Sequence, residues 1–112
     1  MSSVADGTAA FWELAGELIV SQDDVEEGTL MGSRCLRAGG EFLATVHRGS
    51  GELVVKLDAG RVAELIEDDT GVPFAPAGRT FREWIAVPDG DLRLWRQLLE
   101  EALRLNRGRR PS

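Results

Sequence analysis

An α+β domain is predicted for this chain on three observations. Apolar residues recur at the i, i+3, i+4 spacing of a helix near both ends of the chain and again in its middle. Three short runs, divided by Gly39-Gly40 and by Gly49-Ser50-Gly51, fill residues 33–57. A further alternating run, Phe81 to Val87, follows the middle helix, so the order is α-βββ-α-β(β)-α. With 112 residues the chain makes one domain, able to bury roughly two-thirds of its unfolded surface without disulfides.

The first helix spans about residues 7–20. Asp6 suits its cap, and Phe11, Leu14, Ala15, Leu18 and Ile19 form its apolar stripe, widened by Trp12 and Val20. The acidic stretch Ser21 to Gly28 is expected to be helix exit and loop. Strands are expected at Ser33 to Ala38, Glu41 to Arg48 and Glu52 to Leu57. Gly-Gly and Gly-Ser-Gly supply the positive φ values that tight hairpins need. In the second run Phe42, Ala44 and Val46 alternate with Leu43, Thr45 and His47, and in the third Leu53, Val55 and Leu57 share a side. This is a meander with one face buried.

Asp58 caps a second helix over Ala59 to Glu67, with Val62, Leu65 and Ile66 inward, and Asp68-Asp69-Thr70-Gly71 stops it. Pro73, Pro76 and Gly78 reduce residues 72–79 to a loop with at most a short edge strand. In the next strand Phe81, Glu83, Ile85 and Val87 oppose Arg82, Trp84 and Ala86. Asp91 caps a last helix over about residues 92–106, whose apolar face carries Leu92, Trp95, Leu99 and Ala102. Residues 1–106 form the domain, and 107–112 are expected to be a flexible basic tail.

Composition narrows the function classes. No apolar run reaches the ~20 residues of a membrane helix, and the N-terminus carries acids where a secretory leader needs bases. A cytoplasmic protein with no membrane partner is expected. A single cysteine excludes an internal disulfide. The net charge of −6 opposes bulk attraction to nucleic acid. Charge is also uneven: residues 1–31 hold seven acids and no base, whereas residues 91–112 hold six arginines and three acids.

No metal box, phosphate loop or nucleophile–base set is present, so neither catalytic nor metal residues nor a cofactor are expected, and the chain is read as non-enzymatic. His47 has no motif around it and reads as an ordinary strand histidine. Cys35, between Arg34 and Leu36, reads as a small buried side chain, its alternative being an activated thiol beside arginine. The acids at 23–27 and 67–69 lack calcium-loop spacing and read as solvated loops and helix ends. Arg104, Arg107, Arg109 and Arg110 suit a helix C-terminus, or else a phosphate-contacting arm. Lys56, Arg82 and Trp84 share an outer face if their strands lie in one sheet, and Arg79 flanks the turn before them. Cations beside an aromatic ring there would contact phosphate and sugar or stack a base. The alternative is that Trp84 packs under a helix while the arginines solvate a sheet edge.

Four pieces of text resemble the YjbR/MmcQ-like family of small bacterial proteins. They are LVVKL (Leu53 to Leu57), RVAELIEDDTG (Arg61 to Gly71), VPFAPAGRT (Val72 to Thr80) and EWIAV (Glu83 to Val87), with Trp95 and LLEEAL in the closing helix. The likeness spans about residues 11–105. The PFAPAGRT turn is also similar to the N-terminal domain of TfoX-type competence regulators. The resemblance implies a two-layer single domain, an antiparallel sheet packed against helices in a topology like that of secretion chaperones. Members are commonly described as DNA-binding through the β surface. Carried onto this chain, weak binding of double-stranded DNA would fall to Lys56, Arg79, Arg82, Trp84, Arg34 and Arg48. The rival expectation is a protein-binding adaptor or chaperone-like module that uses the sheet or the first helix.

Overall fold

Three helices and six strands follow one another in the computed structural model, which describes residues 6–30, 32–47, 50–75, 78–79, 81–88 and 91–109. Helix α1 (Asp6–Ser21) buries Phe11, Leu14 and Ala15, the centre of the stripe expected for it. Strands β1 (Val25–Leu30), β2 (Ser33–Ala38), β3 (Glu41–Val46) and β4 (Leu53–Lys56) follow, then helix α2 (Ala59–Glu67). The edge strand β5 (Val72–Pro73), strand β6 (Trp84–Val87) and helix α3 (Leu92–Arg109) complete the chain.

The caps act as their chemistry dictates. Asp58 Oδ2 accepts from the Gly60 amide at 3.0 Å and starts α2. Asp91 Oδ1 accepts from the Leu94 amide at 3.0 Å and starts α3. Past the end of α2, Asp69 takes a left-handed φ of 64°, and the Thr70 and Gly71 amides turn back onto the Leu65 carbonyl.

All six strands pair antiparallel, in the order β1-β2-β3-β4-β6-β5. Strand β1 corrects the reading of Ser21 to Gly28 as helix exit and loop. Its six residues pair in register with β2, from Val25 opposite Ala38 to Leu30 opposite Ser33. Acidic residues disfavour strands by propensity, and here tertiary pairing overrides it. Gly28 permits the pairing, because a Cβ there would lie 2.5 Å from Arg37 Cδ and Nε. The Arg37 guanidinium passes over this gap and donates to the Thr29 carbonyl at 2.6 Å and the Gly40 carbonyl at 3.0 Å.

Two boundaries also move. Strand β6 begins at Trp84 rather than Phe81, because the Trp84 amide closes a turn onto the Phe81 carbonyl at 3.1 Å. Helix α3 runs three residues past its expected end, taking in Arg107 and Arg109 of the expected tail. Both are tied down: Arg107 pairs with Asp24 at 2.8 Å, and Arg109 with Asp58 and Glu83 at 3.4 and 3.2 Å. With the Arg96–Glu17 pair at 2.7 Å, the Arg107–Asp24 contact brings the arginine-rich end of the chain against its acidic beginning.

All three helices share one core with Leu36, Ala44, Val46, Leu53, Val55, Ile85 and Val87, which gives a helical layer on one face of the sheet. Trp95 is fully buried in it, and its indole N–H donates to the Pro88 carbonyl at 3.0 Å. The strict alternation expected in β3 is broken. Leu36 faces Ala44 while Arg37 faces Phe42, so Leu43 is an extra residue, a β-bulge. Leu43 and Ala44 therefore both enter the core, and Phe42 is delivered to the other face. That outer face is not simply solvated, as a meander with one buried side would be. Cys35, Val54, Ala86 and Phe42 on it are only 0%, 2%, 5% and 9% exposed.

Candidate binding surface on the outer face of the sheet

Trp84 is the centre of the outer face. Its position follows from pairing: Val54 lies opposite Ala86 and Lys56 opposite Trp84, on the side of β4 and β6 that points away from Val55 and Ile85. Phe42 stacks on Trp84 with ring centroids 4.4 Å apart and planes 16° apart. Phe74 and Phe81 lie 5.4 and 5.2 Å from Trp84, each at 26°. These two rings bracket the proline- and glycine-rich turn, which the Phe81 amide closes onto the Phe74 carbonyl at 3.1 Å. Phe74, Phe81 and Trp84 are half-buried, and among the described residues no helix contributes a ring to the cluster. Offset and near-parallel stacking of this kind adds about 0.5–1.5 kcal/mol per pair beyond simple burial.

Three of the six residues assigned to a DNA surface meet around this cluster beside Trp84 itself. Lys56 is the cross-strand neighbour of Trp84, as alternation anticipated. Arg79 holds its guanidinium carbon 5.9 Å from the Phe81 ring centroid, and Arg82 is exposed in the turn that leads into β6. Among the described residues, none of these three cations has a carboxylate within ion-pair distance.

Arg34 stands elsewhere. It lies at the start of β2, beside the end of β3, whereas Lys56 and Trp84 stand at the opposite ends of their strands. Its guanidinium grips Glu27 in two bonds of 2.6 and 3.1 Å and stacks 4.0 Å over the Trp12 ring of α1. This pairing holds the Glu27 carboxyl below the usual carboxylate range and commits the cation to an internal partner. Arg48, the sixth residue, lies outside the described residues.

Between Arg34 and the ring cluster runs an open cleft of about 580 Å³, within the usual range for ligand pockets. Trp12, Arg34, Thr45, Val54 and Phe74 are among its walls. Val54 and Phe74 thus belong both to the cleft and to the face around Trp84. The cleft was not legible from sequence, since its walls come from α1, three strands and a loop. The ring cluster left one local signal: two phenylalanines seven residues apart at either end of a proline-rich turn. Phe81 was expected on the same side as Ile85, but it precedes the strand and its ring turns back to Trp84.

The remaining candidates have local roles. Cys35 is fully buried, and burial pushes its thiol up against the opposing influence of Arg37. His47 closes the β3–β4 turn, its Nδ1 accepting from the Ser50 amide at 3.2 Å. Asp68 accepts from the Thr70 amide and hydroxyl, which holds its carboxyl below the ordinary range. Among the described residues no three His, Cys, Asp or Glu side chains are grouped to hold a metal, and no helix is long and apolar enough to cross a membrane.

Comparison with known protein families, with characterised proteins and with solved structures finds no match to this chain.

Proposed function

We propose that this chain is a non-enzymatic protein-binding module that docks its partner on the outer face of the sheet around Trp84. One observation carries the reading: helices cover the inner face, while the outer face presents half-buried aromatic rings with Lys56, Arg79 and Arg82 at their margin. Tryptophan, phenylalanine and arginine around a largely desolvated centre are the residues on which protein interfaces concentrate their binding energy. The family resemblance offers duplex DNA as the ligand, and the three cations without carboxylates favour that second reading. Charge weighs against it. The chain has 19 acids to 13 bases, and Arg34, Arg61, Arg96, Arg107 and Arg109 are each already held by a carboxylate. Three cations are few beside the roughly six to ten phosphate contacts of strong duplex binders.

The test is photo-crosslinking in the protein's own cells, with a photoreactive amino acid in place of Arg82 and, as control, of Arg93 on α3. Protein adducts at position 82 and not at 93 are expected. Nucleic-acid adducts at 82 would move the assignment to the DNA reading, and identical adduct patterns at both positions would remove the outer face from either.

A further inference from the structure

The outer face has a chemical polarity that specifies its partner, and the inference drawn from it rests on the docking reading above. At one end Lys56 stands opposite Trp84, Arg79 holds its guanidinium carbon 5.9 Å from the Phe81 ring centroid, and Arg82 is exposed in the turn between Phe81 and Trp84. No described carboxylate pairs with any of the three in a chain of 19 acids. Elsewhere on the chain five arginines, Arg34, Arg61, Arg96, Arg107 and Arg109, are paired with carboxylates within 2.6–3.4 Å. At the other end the face opens into the cleft walled by Val54, Phe74 and Trp12. Val54 and Lys56 point to the same side of β4, two residues apart. That separation is roughly 7 Å, the distance between residues i and i+2 of any extended chain.

From this match we infer that the occupant is an extended segment of a partner protein in which an Asp or Glu stands two residues from a Phe, Leu or Trp. The carboxylate meets Lys56 and Arg82 in charge-assisted bonds, and the apolar side chain lies over Val54 and Phe74 at the mouth of the cleft. A segment with the opposite charge would leave its cations facing Lys56, Arg79 and Arg82. A purely apolar one would desolvate these cations without pairing them.

The experiment is selection of random twelve-residue peptides, displayed on phage, on the immobilised full chain. Selected peptides are then synthesised and titrated against the parent chain and against the double charge reversal K56E/R82E. These positions are half-buried and exposed, so the reversal leaves the core intact, and an unchanged amide NMR spectrum away from β4 and β6 checks this. The expected result is enrichment of an acid two residues from an aromatic or leucine, with affinity falling about tenfold or more in the double reversal. Peptides without acids, acidic peptides that bind both proteins equally, or a selection that yields no binder would each overturn the inference. In those cases protein adducts at position 82 would still leave the docking reading standing, whereas loss of the adducts as well would take both.

Discussion

Phe42 and Trp84 stand on strands separated by the whole width of β4, yet their rings stack with centroids 4.4 Å apart. The bulge at Leu43 makes this possible by turning Phe42 away from the helices. Val54 lies on the same side of β4 as Lys56, the cross-strand neighbour of Trp84, and is only 2% exposed.

The first prediction concerns that pair. Phe42→Ala and Trp84→Ala are each expected to lower unfolding free energy by about 2–4 kcal/mol. The double variant should fall short of the sum by about 0.5–1.5 kcal/mol, the stacking contribution. Urea unfolding of all four proteins measures the cycle, and strict additivity would show that the rings are neighbours without being partners.

Gly28 and Arg37 give a prediction that changes sign with background. Gly28→Val drives a side chain into Arg37 and displaces its guanidinium from the Thr29 and Gly40 carbonyls, so it destabilises by about 1–3 kcal/mol. Once Arg37→Ala has emptied the space, the same substitution stabilises by up to about 1 kcal/mol through strand propensity. Thermal or urea midpoints in the two backgrounds decide it.

The acid limb of stability is expected to depend on Glu101. Arg61 on α2 grips it in bonds of 2.9 and 3.1 Å, and this lowers its pKa in the folded state. A lowered folded pKa gives stability that is present above the unfolded value and is lost as pH falls through the folded one. Unfolding midpoints should therefore drop from about pH 5 downward. Glu101→Gln should lower stability at pH 7 and flatten that drop, and an unchanged acid limb would assign the drop to other carboxylates.

Cys35 is expected to be inert while the protein is folded. Full burial and a raised thiol pKa both suppress the thiolate that reagents attack. Labelling with a chromogenic disulfide at pH 8 should follow the unfolding curve in urea, and fast labelling in buffer alone would mean that the outer face opens there.

Much of the fold was legible because its signals are local. Helix α2 was bounded at Ala59 and Glu67 by the Asp58 cap and the Asp-Asp-Thr-Gly stop, and Gly39-Gly40 marked the β2–β3 hairpin. Strand β1 was not legible, because Glu26 and Glu27 speak against a strand and only pairing with β2 makes one. Nor was the bulge, since an alternating text such as Glu41 to Val46 does not say where it will slip. The candidate site divided along the same line. Lys56 beside Trp84 follows from alternation once β4 and β6 are neighbours. The pairing of Arg34 with Glu27 was not legible, because that carboxylate lies on the strand that the sequence concealed.

The two borders of the sheet differ in what they offer to another copy of the chain. Strand β5 is two residues long and ends in proline, which cannot donate to a new ladder. Strand β1 is six residues long and, among the described residues, pairs with a strand on one side only. Antiparallel pairing of two such borders centred between Glu26 and Glu27 would set Glu26 of each copy opposite Glu27 of the other. The like charges brought together there work as a gatekeeper against edge-to-edge growth of the sheet. The acids that hide β1 in the sequence thus guard the border that it presents to another copy.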